Sequence, residues 1–157
     1  MKSLVVYSSQ TGNTRKLADV VYDTLSGEKE IYPVAEAPGP EKYDFIAVGF
    51  WLTAGRPDAN TSEYLPKIID KPLFLFATHG AAPGSNHAKK AMDIAIGLAP
   101  DADIKGTFSC QGEVNPKVLE KIKEKPAPPV WLDDAPAAVG HPNDTDFEKL
   151  KRIVSTL

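Results

Sequence analysis

Ser9-Gln10-Thr11-Gly12-Asn13-Thr14 lies between an apolar run, Leu4-Val5-Val6-Tyr7, and an amphipathic stretch with Leu17, Ala18, Val20, Val21 and Leu25. A hydroxyl-rich turn with a glycine, set between a buried strand and a helix start, brings backbone N–H groups, hydroxyls and the positive end of a helix dipole to one point. That point suits a phosphate. The turn lacks the Gly-x-x-x-x-Gly-Lys-Ser/Thr of a nucleoside triphosphatase and the three spaced glycines of a dinucleotide fingerprint, so a terminal monophosphate fits it best. No lysine lies inside the turn. Backbone N–H groups and the side chains of Ser9, Thr11, Asn13 and Thr14 must then hold the anion, while Gly12 lets the backbone approach it. The plain alternative is a helix cap, which uses the same residue types. Arg15 and Lys16 follow in the first helical turn, where cations oppose the dipole, and read first as solvated charge.

The elements that must position this turn follow from patterning. Strands are predicted near Leu4–Ser8, Glu30–Val34, Phe45–Phe50, Leu73–Thr78 and Ile104–Cys110, and helices near Asn13–Leu25, Ser62–Ile69, Ser85–Leu98, Pro116–Lys123 and Asp144–Thr156. Phe45-Ile46-Ala47-Val48-Gly49-Phe50 and Leu73-Phe74-Leu75-Phe76-Ala77 are nearly continuous apolar runs, as expected of parallel strands buried on both faces. The expectation is an α/β fold of three α/β/α layers, a doubly wound parallel sheet of five strands in the order 2-1-3-4-5. Such a sheet binds ligands beyond the carboxyl ends of its strands, at the switch point between the first and third. The loops there begin at Ser9, Phe50 and Thr78.

The motif Ser9-Gln10-Thr11-Gly12-Asn13-Thr14 after a first strand resembles the FMN phosphate loop of the flavodoxin family. Gly49-Phe50-Trp51 resembles that family's first flavin-flanking loop, and Thr78-His79-Gly80-Ala81-Ala82-Pro83-Gly84-Ser85 its second. The resemblance covers nearly the whole chain. Gly106-Thr107-Phe108-Ser109-Cys110-Gln111-Gly112 and His141-Pro142-Asn143-Asp144 are similar to a subgroup of small bacterial flavodoxin-like proteins, some of which serve as accessory partners of a bilirubin reductase. The resemblance implies FMN as cofactor, electron transfer between redox proteins as function, and a monomer. It places Ser9, Gln10, Thr11, Gly12, Asn13 and Thr14 at the phosphate, and Phe50, Trp51, Leu52, Gly55, Thr78, His79, Gly80 and Gly84 around the flavin ring.

The residues themselves qualify that assignment. Trp51 is the aromatic expected against the ring, although a tryptophan that closes the core's edge is the alternative and Phe50 can exchange roles with it. Gly55 is either a hinge that turns its peptide toward the flavin or a plain turn glycine. Between Thr78 and Lys89 there is no Tyr, Trp or Phe, so the outer flavin face falls to the Gly80–Gly84 backbone or His79, or stays partly open. His79, His87 and His141 show no metal-ligand spacing, and no metal is expected. Cys110, the single cysteine, reads as a small buried hydrophobe. No residue is expected to act as a nucleophile or general acid.

With 157 residues, 42% hydrophobic and 25% charged, the chain has the length of a single domain, 1–157, with a sizeable core. A net charge of −3 with scattered Lys and Arg argues against nucleic acid as a partner. No signal peptide or membrane span is evident and no disulfide can form within the chain, so a cytoplasmic location is expected. The flanking loops carry few acids, chiefly Asp58 and Glu63, against Arg56, Lys89 and Lys90. A less negative potential than in acidic flavodoxins is therefore expected for the final one-electron step. Residues 113–140 read as an insertion between the fifth strand and the last helix, with Pro126, Pro128, Pro129 and Pro136 favouring an extended course. Trp131 and Leu132 would anchor it, leaving Asp133 and Asp134 exposed to select a redox partner or to cover a sheet edge.

Two other functions share this strand order. An FMN-dependent reductase acting directly on a small molecule with a nicotinamide donor is the alternative, and oxidation of NADH or NADPH by the protein alone would reveal it. A phospho-acceptor signalling domain needs acids after the first strand, an aspartate ending the third and a lysine ending the fifth. The chain offers Ser8-Ser9, Gly49-Phe50 and Gln111-Gly112 there, which excludes it.

Overall fold

Side-chain alternation on two apolar strands dictates the layers. In the computed structural model, which describes residues 1–53 and 55–157, β3 (Phe45–Thr53) and β5 (Pro72–His79) lie side by side at the centre of a parallel sheet. β1 (Lys2–Tyr7) and β2 (Glu28–Pro33) extend it on one side and β6 (Asp103–Gln111) on the other. A two-residue strand, β4 (Arg56–Pro57), pairs antiparallel with the end of β3. The order is β2-β1-β3-β5-β6, the expected doubly wound arrangement once the short β4 is set aside.

Successive residues of a strand point to opposite faces. Ile46, Val48, Phe50, Leu73, Leu75 and Ala77 therefore pack on one face with Tyr64, Leu65, Ala95 and Ala99, which come from α2 (Ala59–Tyr64), its 3₁₀ extension (Leu65–Lys67) and α3 (Asn86–Leu98) with its cap. Phe45, Ala47, Phe74 and Phe76 pack on the other with Leu17, Ala18 and Val21 of α1 (Asn13–Thr24) and Leu150 and Val154 of α5 (Asp144–Val154). Phe50, Phe74 and Phe76 are fully buried, each contributing about 1.5–3 kcal/mol. No helix among the described residues is long and apolar enough to cross a membrane.

Three local differences from the sequence reading have clear causes. α2 begins three residues before Ser62, because Asp58 caps it by accepting from Thr61 N at 3.3 Å, and Pro66 tightens the following turn into 3₁₀ geometry. β3 runs on to Thr53, where pairing with β4 extends it beyond Phe50. The proline-rich stretch is not extended throughout: Val130–Ala138 coils into 3₁₀ turns that accommodate the fixed φ of Pro136. α4 (Pro116–Lys123) precedes it and buries no residue.

Candidate functional site

The carboxyl ends of β1, β3, β5 and β6 meet around one cavity. Its walls include Ser9, Gln10, Thr11, Asn13 and Thr14 from the turn after β1, Trp51, Leu52 and Gly55 from the β3–β4 hairpin, and Thr78, His79 and Gly80 from the end of β5. His87 and the stretch from Gly112 to Asn115 complete it, with Val118 and Trp131 from beyond β6.

The turn after β1 is built from its own hydroxyls. Ser8 N–H donates to Gly49 O at 2.9 Å, and Ser8 Oγ donates to Asp58 Oδ2 at 2.8 Å, tying the turn to the cap of α2. Gly12 N–H donates to Ser9 Oγ at 3.0 Å, which leaves the Ser9 hydroxyl hydrogen free to donate elsewhere. Gly12 itself caps α1 at φ +91°, in the left-handed region that glycine adopts without strain. Among the described residues no side chain caps α1, whereas Asp58, Ser85, Asn115 and Asn143 cap α2, α3, α4 and α5. The first N–H groups of α1, with no partner inside the helix, are thus open to an anion.

Two of the expected anion ligands have structural partners within the protein. The Asn13 side chain donates to Glu113 O at 3.0 Å, and Thr14 Oγ1 lies 3.0 Å from Thr78 Oγ1 in a buried hydroxyl pair. These bonds clamp the turn to the ends of β6 and β5. The Thr11 side chain is exposed and makes no hydrogen bond among the described residues. Arg15 is exposed, its guanidinium 5.7 Å from the centre of the Tyr7 ring.

At the hairpin, period-2 alternation separates neighbours that the sequence reading grouped. Phe50 is fully buried in the core with Val48 and Leu75 and is not among the described residues that line the cavity. Trp51 points the other way, is half-buried and lines the cavity, with Leu52 beside it. Gly55 turns the hairpin at φ +78°, and the His87 ring packs against it, 3.3 Å from where a Cβ would stand. Gly84 lies apart, bordering a separate hollow with Ala88 and Thr107.

His79 is 6% exposed, and its Nδ1 lies 2.9 Å from Ala81 O. Burial lowers its pKa, more than offsetting the Ala81 carbonyl, so the ring is neutral with the proton on Nδ1. Nε2 is then an acceptor, buried and without a partner among the described residues. Cys110 is buried and its thiol is pushed well up by desolvation, which keeps it protonated and inert. Asp58 is also buried, bonded by Ser8 and by Thr61 Oγ1 at 2.9 Å, and does not face the cavity as a free acid. Nor is Asp134 the exposed acid expected: it is half-buried and its Oδ2 accepts from Ala82 N at 3.1 Å.

The model of the Flavodoxin domain family matches residues 4–155. The chain belongs to the flavodoxin family. Among relatives of this flavodoxin-family chain, the flavodoxin-like domain-containing protein BilS of Clostridioides difficile (strain CD3) is 37% identical over 129 residues, covering 79% of this chain and 73% of that one. BilS of Clostridium symbiosum (strain WAL-14163) is 30% identical over 180 residues, covering 98% of this chain and 94% of that protein. In three dimensions this chain is similar to a short-chain flavodoxin associated with a non-canonical PDU bacterial microcompartment, with a TM-score of 0.68 at 14% identity over 100% of this chain and 96% of the other. That likeness shows the shared fold.

Glu113, Val114, Asn115, Val118 and Trp131 were not legible as site residues, because they follow the last strand at no motif spacing. Their one sequence signal is Gly112. A Cβ there would stand 2.8 Å from Asn13 Nδ2 and 3.2 Å from Thr78 Cβ, so the chain passes directly against the phosphate-type turn.

Proposed function

We propose that the chain holds FMN non-covalently in this cavity and passes electrons between larger redox proteins. The observation that carries the reading is the convergence on one cavity of an uncapped helix N-terminus, a tryptophan and an unpartnered buried acceptor. An anion fits the first, a flat aromatic ring the second, and an N–H on that ring's polar edge the third. FMN carries all three. The N–H groups of α1's first turn, the Thr11 hydroxyl and the Ser9 hydroxyl hydrogen hold the phosphate, and Trp51 lies against the ring and excludes water. Neutral His79 accepts at Nε2 and adds no charge.

Bound FMN supplies the redox chemistry, taking up and releasing one or two electrons, and the protein supplies position and electrostatics. Among the described residues that line the cavity, no side chain is paired as nucleophile and base. Cys110, the only thiol, is buried and protonated. The requirement on the protein is then an exposed flavin edge and a surface on which a partner docks. The similarity of the segments Gly106–Gly112 and His141–Asp144 to a subgroup of which some members serve a bilirubin reductase makes such a reductase the first acceptor to try.

The test is electron delivery. FMN-loaded protein, reduced chemically and mixed with an acceptor reductase, should be reoxidised only when the acceptor's substrate is present, and should not itself oxidise NADH or NADPH in steady state. Turnover of a nicotinamide by the protein alone would assign it to the directly acting reductases instead.

A further inference from the structure

Between Thr78 and Lys89 the chain carries no Tyr, Trp or Phe, so the loop after β5 has no large aromatic side chain to offer the cavity. An indole enters from elsewhere. Trp131 borders the same cavity as Trp51, Thr78, His79 and Gly80, although it lies 51 positions beyond Gly80 in sequence. Its ring rests on the Gly80 backbone: a Cβ at Gly80 would stand 3.1 Å from Trp131 Cε3, 3.2 Å from Cζ3 and 2.9 Å from Val114 Cγ2. Any larger residue at 80 would displace the indole or Val114. The lack of a side chain at 80 is therefore what lets the ring reach the wall.

The indole is half-buried and borders a second hollow as well, with His87, Lys90 and Asp134. A tryptophan serving only the core would be enclosed by apolar neighbours. This one stands as a partition with surface toward both hollows. Its segment is held in register by polar bonds to the site loops. Ala82 N–H donates to Asp134 Oδ2 at 3.1 Å, and Gln111 Nε2 donates to Asp134 O at 3.4 Å.

We propose that Trp131 is the second aromatic wall of the flavin site, supplied by residues 113–140 in place of a ring from the loop after β5. The proposal deepens the FMN reading above and rests on it. The isoalloxazine ring packs against the indole, Gly80 and Val114 support the indole from behind, and Asp134 sets its distance from the end of β5.

An indole in contact with a flavin extinguishes the flavin's emission, which gives a readout independent of electron transfer. FMN bound to Trp51→Phe should stay dark, quenched by Trp131, and FMN bound to the double variant Trp51→Phe/Trp131→Phe should recover its emission. Trp131→Ala should weaken FMN and riboflavin alike by about tenfold, since stacking acts on the ring they share, with an unchanged far-ultraviolet dichroism spectrum. Equal emission from the single and double Phe variants would overturn the proposal, as would unaltered affinity of Trp131→Ala for both ligands. Failure of the unsubstituted protein to take up FMN would overturn the FMN reading itself and this proposal with it, a result distinct from both.

Discussion

Thr11→Ala should separate recognition of the phosphate from recognition of the ring. Ser9 Oγ accepts from Gly12 N–H, Asn13 Nδ2 donates to Glu113 O and Thr14 Oγ1 pairs with Thr78 Oγ1, at 3.0 Å in all three cases. Thr11 is exposed and free to bond a ligand. A hydrogen bond to a charged phosphate contributes about 1.5–3 kcal/mol, so its loss should weaken FMN by about ten- to a hundredfold. Riboflavin, which lacks the phosphate, should bind as before, and Thr11→Ser should restore FMN. Thr14→Val is the counterpart. It removes one partner of a buried hydroxyl pair and leaves Thr78 Oγ1 unsatisfied, at about 1–3 kcal/mol of stability. For a chain of this length that lowers the melting midpoint by about 2–12 °C. Calorimetric titration with both ligands at fixed pH and salt, beside thermal melts of each variant, measures all of this. Equal losses of FMN and riboflavin on Thr11→Ala would refute the reasoning, because the residue would then support the fold and not the anion.

Asp58→Ala should destabilise the protein by about 2–4 kcal/mol in urea denaturation, since it removes the cap of α2 and strands Ser8 and Thr61 Oγ1. Burial depresses the pKa of His79 in the folded state, so below about pH 6.5 the unfolded chain binds the extra proton and stability should fall with pH; His79→Gln should flatten that slope in pH-dependent melts. Burial raises Tyr43 to about 12, ahead of its bond and charge interactions with Glu30, so stability should also fall as pH climbs above 10, and less so in Tyr43→Phe. Glu113 borders the cavity with its charge exposed, and Glu113→Gln should raise the potential of the second one-electron step by about 20–40 mV in a redox titration.

The layers of this fold were legible because Phe45–Phe50 and Leu73–Ala77 are apolar on both faces, a pattern that buried parallel strands require. The turn at Ser9–Thr14 was legible as the link between a strand and a helix start, because hydroxyls and glycine gather there whether they cap the helix or hold an anion. What each side chain does there was not, since the pairing of Thr14 with Thr78 and of Asn13 with Glu113 joins residues 64 and 100 positions apart. Phe50 and Trp51 show the limit at the hairpin. Placing the strand end at Phe50 put both in one loop, and the three further residues of pleated strand send them to opposite faces. Trp131 was read as an anchor for its segment. Nothing in a proline-rich stretch signals that it coils back over Gly80.

The central claim, FMN in this cavity, is tested most directly by the absorbance spectrum of the protein after saturation with FMN and removal of the excess. Flavin bands in the blue and near-ultraviolet at one flavin per chain after loading with FMN, and far weaker bands after loading with phosphate-free riboflavin at the same concentration and the same removal of excess, are the result this account predicts. A spectrum without flavin bands after FMN, or equal retention of riboflavin, would contradict it.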